Sequence, residues 1–176
     1  CPNAAILLVG CYAQAHPEEA AALPGVRYVG GTLDKMKTLA VARAILRGEE
    51  VECLAVAPLE GACYEPMAVS GAPRTRAYVK IADGCDNRCS YCAIPAIRGR
   101  YRSRPMESII EECKAFAAKG VEEFIIIAQD TTRYGEDIYG KRMLPELLRQ
   151  ICKIDGIRWI RILYAYPERV TEELLD

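Results

Sequence analysis

The sequence has one histidine, His16, one tryptophan and two phenylalanines. The single histidine lies in a polar turn of the N-terminal part, in the other domain from the cysteine cluster, so no Ser–His–acid or Cys–His arrangement is available there, and one histidine gives no basis for a His-built zinc centre. Long hydrophobic runs are also missing. The longest, residues 4–9 and 124–128, fall far short of the roughly 18 apolar residues that mark a membrane-spanning helix. No basic segment leads into an apolar stretch with a cleavage site, so nothing indicates secretion. Neither charge sign dominates: 23 Lys and Arg stand against 24 Asp and Glu, for a formal net charge of −1. Bulk charge therefore points to no nucleic-acid partner. A hydrophobic content of 51% with 27% charged residues argues against disorder. The expectation is a soluble, cytoplasmic protein without membrane association.

What the chain does have is cysteine. Nine are present, an odd number without the spacing of a small secreted scaffold. Cys85, Cys89 and Cys92 crowd into one short stretch, which points to metal in a reducing compartment rather than to disulfides. Charge is also unevenly spread. From Arg74 to Arg104, eight basic residues face only Asp83 and Asp86, so the rest of the chain is acidic. Such asymmetry marks either a site for an anionic ligand or partner, or a solvated basic loop. The opening Cys1-Pro2 without an initiator methionine, and a helix that only begins at residues 171–176, suggest an internal fragment.

Hydrophobic patterning gives an α/β reading. Residues 4–9 form a compact apolar run ended by Gly10, predicting a buried strand with Cys11 at its C-terminal edge. Pro17-Glu18-Glu19 has the composition of a helix first turn. Residues 26–29 predict a second strand, and Thr32 or Asp34 is placed to cap a helix running to Leu46. From Glu50 to Thr75 the sequence is rich in Gly and Pro and reads as a linker, with a short strand at residues 53–57. The domain boundary is expected near Gly71-Ala72-Pro73, dividing the chain into residues 1–70 and 71–176. Beyond it, strands are predicted at 77–81, 124–128 and 159–163. Helices are predicted at 106–119, with Ile109, Ile110, Cys113, Phe116 and Ala117 inward, and at 144–153. Apolar strands alternating with helices predict a parallel sheet covered by helices. Three strands fit either an open sheet or the first half of a barrel.

The stretch Asp83-Gly84-Cys85-Asp86-Asn87-Arg88-Cys89-Ser90-Tyr91-Cys92 follows the first strand of the second domain, at the strand end where α/β folds place their chemistry. Three thiolates at i, i+4 and i+7 converge only if the loop wraps a common centre, and thiolates select zinc, copper(I) or iron–sulfur clusters. A structural zinc site closes with four ligands, and no fourth Cys or His lies close in sequence. An iron–sulfur cluster with one open iron is the favoured reading, and a zinc site stays as the alternative.

C-x3-C-x2-C after a first strand, with an aromatic just before the third cysteine, resembles the radical S-adenosylmethionine (radical SAM) superfamily. The resemblance implies a [4Fe–4S] cluster on Cys85, Cys89 and Cys92 whose open iron chelates the amino and carboxylate groups of SAM. Reductive cleavage of SAM then gives methionine and a 5′-deoxyadenosyl radical. It places Tyr91 near the adenine. The flanks narrow it further. Residues 84–95, then Arg98-Gly99-Arg100 and Arg102-Ser103-Arg104-Pro105, are similar to the methylthiotransferases, which replace C–H with C–S–CH3. That family implies a second [4Fe–4S] cluster on three N-terminal cysteines, the last in a Gly-Cys-x-x-Gln motif. Gly10-Cys11-Tyr12-Ala13-Gln14 matches it, making Cys11 the third ligand. The other two should lie upstream of Cys11, and Cys1, Cys53 and Cys63 do not fit them in order or context.

Ala128-Gln129-Asp130-Thr131-Thr132-Arg133-Tyr134-Gly135 and residues 159–167 are similar to the family branch that methylthiolates the β-carbon of an aspartate in the twelfth small-subunit ribosomal protein. That implies the ribosomal protein or the assembled subunit as partner, a reductant protein for the cluster, and a monomeric enzyme. Residues 10–19 have something of the tRNA-modifying branch, so a tRNA adenosine near the anticodon stays as an alternative substrate. A zinc-binding, non-catalytic nucleic-acid module is the competing class. The missing parts of the family pattern imply that this chain alone is inactive.

Among the remaining candidates, Gln129 and Asp130 either hold the SAM amino group, face the substrate, or cap a loop. Arg100 and Arg104 are the candidates for the SAM carboxylate, since a guanidinium makes bidentate contacts. Gly84 either turns the backbone tightly beside the cluster or ends the strand. Arg88 is placed to tune the cluster's potential. Tyr164 and Tyr166 face either the cavity or the core. Cys113 and Cys152 read as core residues.

Overall fold

In the computed structural model, residues 4–33, 35–60 and 75–176 are described. The expected boundary at Gly71-Ala72-Pro73, the Asp34 cap, and Cys1 and Cys63 lie outside them. Two compact units emerge: the described residues to 60 together with Arg88–Gly99, and those from 75 to 87 together with Arg100–Asp176. The expected two-part α/β order is met by a parallel sheet in each unit. Among the described residues no helix is long and apolar enough to cross a membrane.

The first unit runs β1 (Ile6–Val9), α1 (Cys11–Ala15), α2 (Pro17–Ala21), β2 (Val26–Gly30), α3 (Lys35–Leu46), β3 (Leu54–Ala55) and, from the inserted segment, α4 (Ile94–Arg98). Its sheet is parallel, in the order β1-β2-β3. Because β1 is an edge strand, Ile6 and Val9 are exposed and Leu7 and Leu8 only half-buried, so the expectation of a buried strand is not met. Burial instead centres on β2, with Tyr28 and Val29, and on Ala13 and Ala20 of the two short helices. The helix α1, for which the sequence predicts no element, packs against α4.

The second unit runs β4 (Arg76–Lys80), β5 (Ala82–Asp83), β6 (Arg102–Ser103), α5 (Met106–Ala117), β7 (Glu123–Ile127), α6 (Glu136–Tyr139), α7 (Leu144–Cys152), β8 (Trp159–Ile162) and α8 (Glu172–Leu175). Strands β4-β7-β8 form a parallel sheet with Ala77, Phe124 and Ile160 in register, then Val79, Ile126 and Ile162. That face packs on Ile109 and Cys113 of α5 and on Leu144, Leu147 and Ile151 of α7, the i, i+3/i+4 stripes of amphipathic helices. The other face carries Tyr78, Ile125 and Arg161. Central β7 is buried on both faces for most of its length, which explains its uninterrupted apolar run. Cys113 is core, as expected. Cys152 is exposed, because it sits one position, about 100° of helix rotation, past the inward-facing Ile151.

Candidate functional site

The cysteine motif follows β4 and β5, and β6, which pairs antiparallel with β5, comes after it; Cys85 belongs to the second unit and Cys89 and Cys92 to the first. Its base is fixed before the first thiol. Asp83 sits 2.6 Å from Lys80 Nζ, and its Oδ1 accepts from the Gly84 N–H at 3.0 Å. Gly84 has φ 77, a left-handed backbone that a side chain would strain, so the tight turn before Cys85 is real. Cys85 is buried, whereas Cys89 and Cys92 in the first unit are half-buried, and none of the three is disulfide-bonded. The Cys92 N–H donates to the Cys89 carbonyl at 2.9 Å. Among the described residues, no three His, Cys, Asp or Glu side chains are gathered as a metal-holding group.

Two polar residues between the cysteines, which the sequence reading treated as part of the motif without a role, anchor the loop. Asp86 Oδ1 accepts from the Tyr101 N–H at 3.1 Å, and its carboxylate lies 3.8 Å from Arg133 Nη1 and 3.9 Å from Arg100 Nε. Asn87 Nδ2 donates to Asp130 Oδ2 at 2.9 Å. Arg169 donates through Nη2 to Asn87 Oδ1 at 2.9 Å and through Nη1 to Asp130 Oδ2 at 2.5 Å.

Asp130, fully buried at the end of β7, is also the cap of the 3-10 turn Thr131–Arg133. Its Oδ1 accepts from the Thr132 N–H at 3.1 Å and from Thr132 Oγ1 at 2.6 Å. With two donors on each oxygen, the carboxylate's acceptor positions are filled. Its backbone carbonyl accepts from the Tyr101 hydroxyl at 2.9 Å. Burial, followed by the nearby carboxylates of Asp130 and Asp137, pushes the Tyr101 phenol far up, so it stays a donor. Gln129 beside it differs: its Oε1 is buried with no hydrogen-bond partner, an acceptor left open on the same rim.

The other expected residues separate. Tyr91 is 89% exposed. Arg100 is also exposed, its nearest acid Asp86. Arg104 is buried, pairs with Glu112, and donates to Ser108 Oγ and to the Ser108 carbonyl; its charge is compensated inside its own unit. Arg88 is exposed with φ 49. Tyr164 is 64% exposed with φ 60, so of the two orientations considered for it, core packing is ruled out. Its carbonyl accepts from the Thr131 N–H at 3.2 Å.

In the first unit Cys11 opens α1 and is exposed, with Arg98 Nη2 3.5 Å from its Sγ. Gln14, the last residue of the Gly-Cys-x-x-Gln motif, is structural. Its Oε1 accepts from the Thr32 N–H at 2.9 Å, and its Nε2 donates to the Ala57 carbonyl at 3.3 Å. A Cβ on Gly31 would meet that Oε1 at 2.1 Å, so the close approach of Gln14 requires glycine there.

Sequence reasoning missed Asn87, Asp86, Tyr101, Arg133 and Arg169. The only local signal was an Asp-Asn pair between cysteines, a composition shared by any turn. Arg169 lies 82 residues from Asn87, beyond the reach of any spacing rule.

Comparison with known proteins gives the following matches. The model of the radical SAM superfamily matches residues 79–176. A Clostridium tetani protein named "Ribosomal protein uS12 methylthiotransferase RimO" is 48% identical over 177 residues, covering 99% of this chain and 39% of that protein. A protein of the same name from Clostridium kluyveri is 62% identical over 100 residues, 57% of this chain and 22% of that protein. One from Thermoanaerobacter sp. is 47% identical over 175 residues, 97% of this chain and 39% of that protein. The chain thus spans about two fifths of the length of the curated relatives that it matches end to end.

Proposed function

The chain belongs to the radical SAM superfamily, and from that premise we propose that the whole protein is a methylthiotransferase that modifies an aspartate β-carbon in the twelfth protein of the small ribosomal subunit. One observation carries the reading: the Cys85-x3-Cys89-x2-Cys92 motif, which begins just past the C-terminal end of a parallel-sheet strand, in a chain 48% identical over 99% of its length to a protein named as a uS12 methylthiotransferase.

Membership of the family implies one [4Fe–4S]/SAM site, and the donor set suits it. Three thiols outside any disulfide are the soft ligands that iron–sulfur clusters take, so Cys85, Cys89 and Cys92 would hold the cluster. When bound, the cluster with SAM supplies one-electron cleavage of a carbon–sulfur bond and, through it, hydrogen abstraction from an unactivated carbon. The open Gln129 Oε1 suits a cationic donor such as the SAM ammonium, since a buried acceptor left unpaired carries a desolvation cost that such a ligand removes. The exposed ring of Tyr91 offers a face for adenine. Arg100 offers a guanidinium for a carboxylate. Arg104, already paired with Glu112, is assigned no ligand. Cys11 would be one ligand of a second cluster, its partners coming from outside the present chain. A reductant protein would deliver electrons, and a reducing cytoplasm would keep the thiols reduced.

The test is competitive. The full-length protein, reconstituted anaerobically with iron and sulfide and given SAM and a reductant, is offered equal amounts of the ribosomal-protein loop peptide and a tRNA anticodon stem. A methylthio adduct on the peptide, read by mass spectrometry, supports the reading. An adduct on the tRNA overturns the substrate, and a colourless protein holding one zinc overturns the chemistry.

A further inference from the structure

We propose that Asp130 is a positioning residue: its carboxylate, closed into a ring with Asn87 and Arg169, sets the path of the cysteine loop on leaving Cys85. The inference rests on the reading of Cys85, Cys89 and Cys92 as cluster ligands, and it concerns this chain's own side chains.

The ring closes through three hydrogen bonds. Asn87 donates to Asp130 Oδ2, Arg169 donates to the same oxygen, and the second guanidinium nitrogen of Arg169 donates to Asn87 Oδ1. Each member thus holds the other two, and Asn87 uses both ends of its amide. Oδ1 of Asp130 is taken by Thr132. A fully buried carboxylate is tolerated only when it is paired and hydrogen-bonded, and this one has no acceptor position left for a ligand.

The ring also ties three loops together. Asn87 stands in the loop after β5, Asp130 just past the end of β7, and Arg169 in the 3-10 turn Pro167–Arg169 after β8. The Arg169 guanidinium lies 5.0 Å from the centre of the Tyr166 ring, a second constraint on its position. Thr131, next to Asp130, binds the Tyr164 and Leu163 carbonyls through its N–H and Oγ1 at 3.2 and 2.9 Å. The backbone that presents Cys85 is therefore registered against the two neighbouring strand ends. Cluster-binding loops need this preorganisation, because the outer partners of metal ligands fix the geometry of the ligands themselves.

The experiment compares wild-type full-length protein with Asp130→Asn, Asn87→Ala and the exchange variant Asn87→Asp with Asp130→Asn, which returns a carboxylate to the ring. Amide hydrogen exchange is followed before iron and sulfide are added, and the reduced cluster's electron paramagnetic resonance spectrum afterwards. Exchange of the peptide spanning residues 82–88 is expected to accelerate on the order of tenfold to a hundredfold in Asp130→Asn, the loss of a hydrogen bond to a charged group. Asn87→Ala should accelerate the same peptide by less, and the exchange variant should slow it again. Amides of α5 and β7 should stay protected in all of them, and the spectrum of the loaded cluster should shift in Asp130→Asn. Unchanged loop exchange, an equal rise in α5 and β7, or an unshifted spectrum would each overturn the positioning role. A wild-type protein that takes up no cluster would overturn the proposed function instead, and the exchange results separate the two failures.

Discussion

Asn87 Nδ2 donates to Asp130 Oδ2 at 2.9 Å across 43 residues of sequence, joining the cysteine motif to the end of the neighbouring parallel strand. The contact puts the motif's side chains into two classes. The thiols stand outside any disulfide, while Asp86 and Asn87 are bound to the sheet rim. The same division holds at the other end of the pair. Asp130 is saturated, and Gln129, one residue earlier, keeps a buried acceptor unpaired. Residues adjacent in sequence thus stand in opposite states: one carboxylate has every acceptor position filled, and the neighbouring amide keeps one open.

Arg104 gives the sharpest separation of structure from ligand binding. Its side chain and that of Glu112 are 8% and 12% exposed. Removing one partner of a buried pair leaves an uncompensated charge, which costs about 3–5 kcal/mol. Glu112→Ala is therefore expected to lower unfolding stability by about that amount in urea titrations. Replacing both partners together with apolar residues should cost much less than Glu112→Ala alone. If Glu112→Ala were neutral, Arg104 would be free to serve a ligand.

The elements of the second unit were legible because β7 is a short uninterrupted apolar run of the kind a doubly covered parallel strand needs, and because the α5 and α7 stripes follow a period of 3.6 residues. Leu144, Leu147 and Ile151 are inward for the reason their spacing implies. The cysteine loop was legible because three thiols in one short stretch have few other uses. What was not legible is the work of Asn87, Asp86, Tyr101 and Arg169, whose partners are set by which strand ends become neighbours. Arg104 illustrates the limit from the other side. An arginine in a basic stretch reads as available, yet Glu112, two helical turns along on α5, had already claimed it. Cys152 read as core from an apolar neighbourhood, and one residue of helical rotation placed it outside.

Tyr164 holds a left-handed backbone at φ 60 with its ring largely in solvent. For a bulky residue such a conformation costs on the order of 1–2 kcal/mol. Tyr164→Asn, which tolerates that region, is expected to be neutral or stabilising by up to about 1 kcal/mol in thermal denaturation. Tyr164→Val, with a branched Cβ, should destabilise. A stabilising Tyr164→Val would mean that the backbone there is not held in place by Thr131.

Thiol reactivity should sort the cysteines by environment. Burial, followed by the neighbouring Glu112 carboxylate, pushes the Cys113 thiol up to about 12. Since only the thiolate reacts, native protein treated with iodoacetamide near pH 8 should leave Cys113 unmodified while Cys11 and Cys152, both exposed, are alkylated. Peptide mass spectrometry reads the pattern. Alkylation of Cys113 at the rate of Cys152 would show that α5 does not pack on the sheet.

Glu136 supplies a pH dependence whose sign can be worked out. Burial opposes its ionisation, but hydrogen bonds from Arg142 and Arg133, both at 2.8 Å, outweigh that and hold the carboxyl below its ordinary value. A folded value below the unfolded one, about 4.3 for glutamate, means that the unfolded chain binds more protons between the two. The stabilisation is therefore fully present above the unfolded value and is lost as pH falls through the folded one. Glu136→Gln removes it at every pH. The gap between wild type and variant, on the order of 1 kcal/mol for a partly exposed pair network, should be constant from about pH 7 to about pH 5 and close progressively below about 4.3. Urea unfolding across that range measures the gap. A gap that widened on acidification would mean that Arg133 and Arg142 do not stabilise the Glu136 carboxylate.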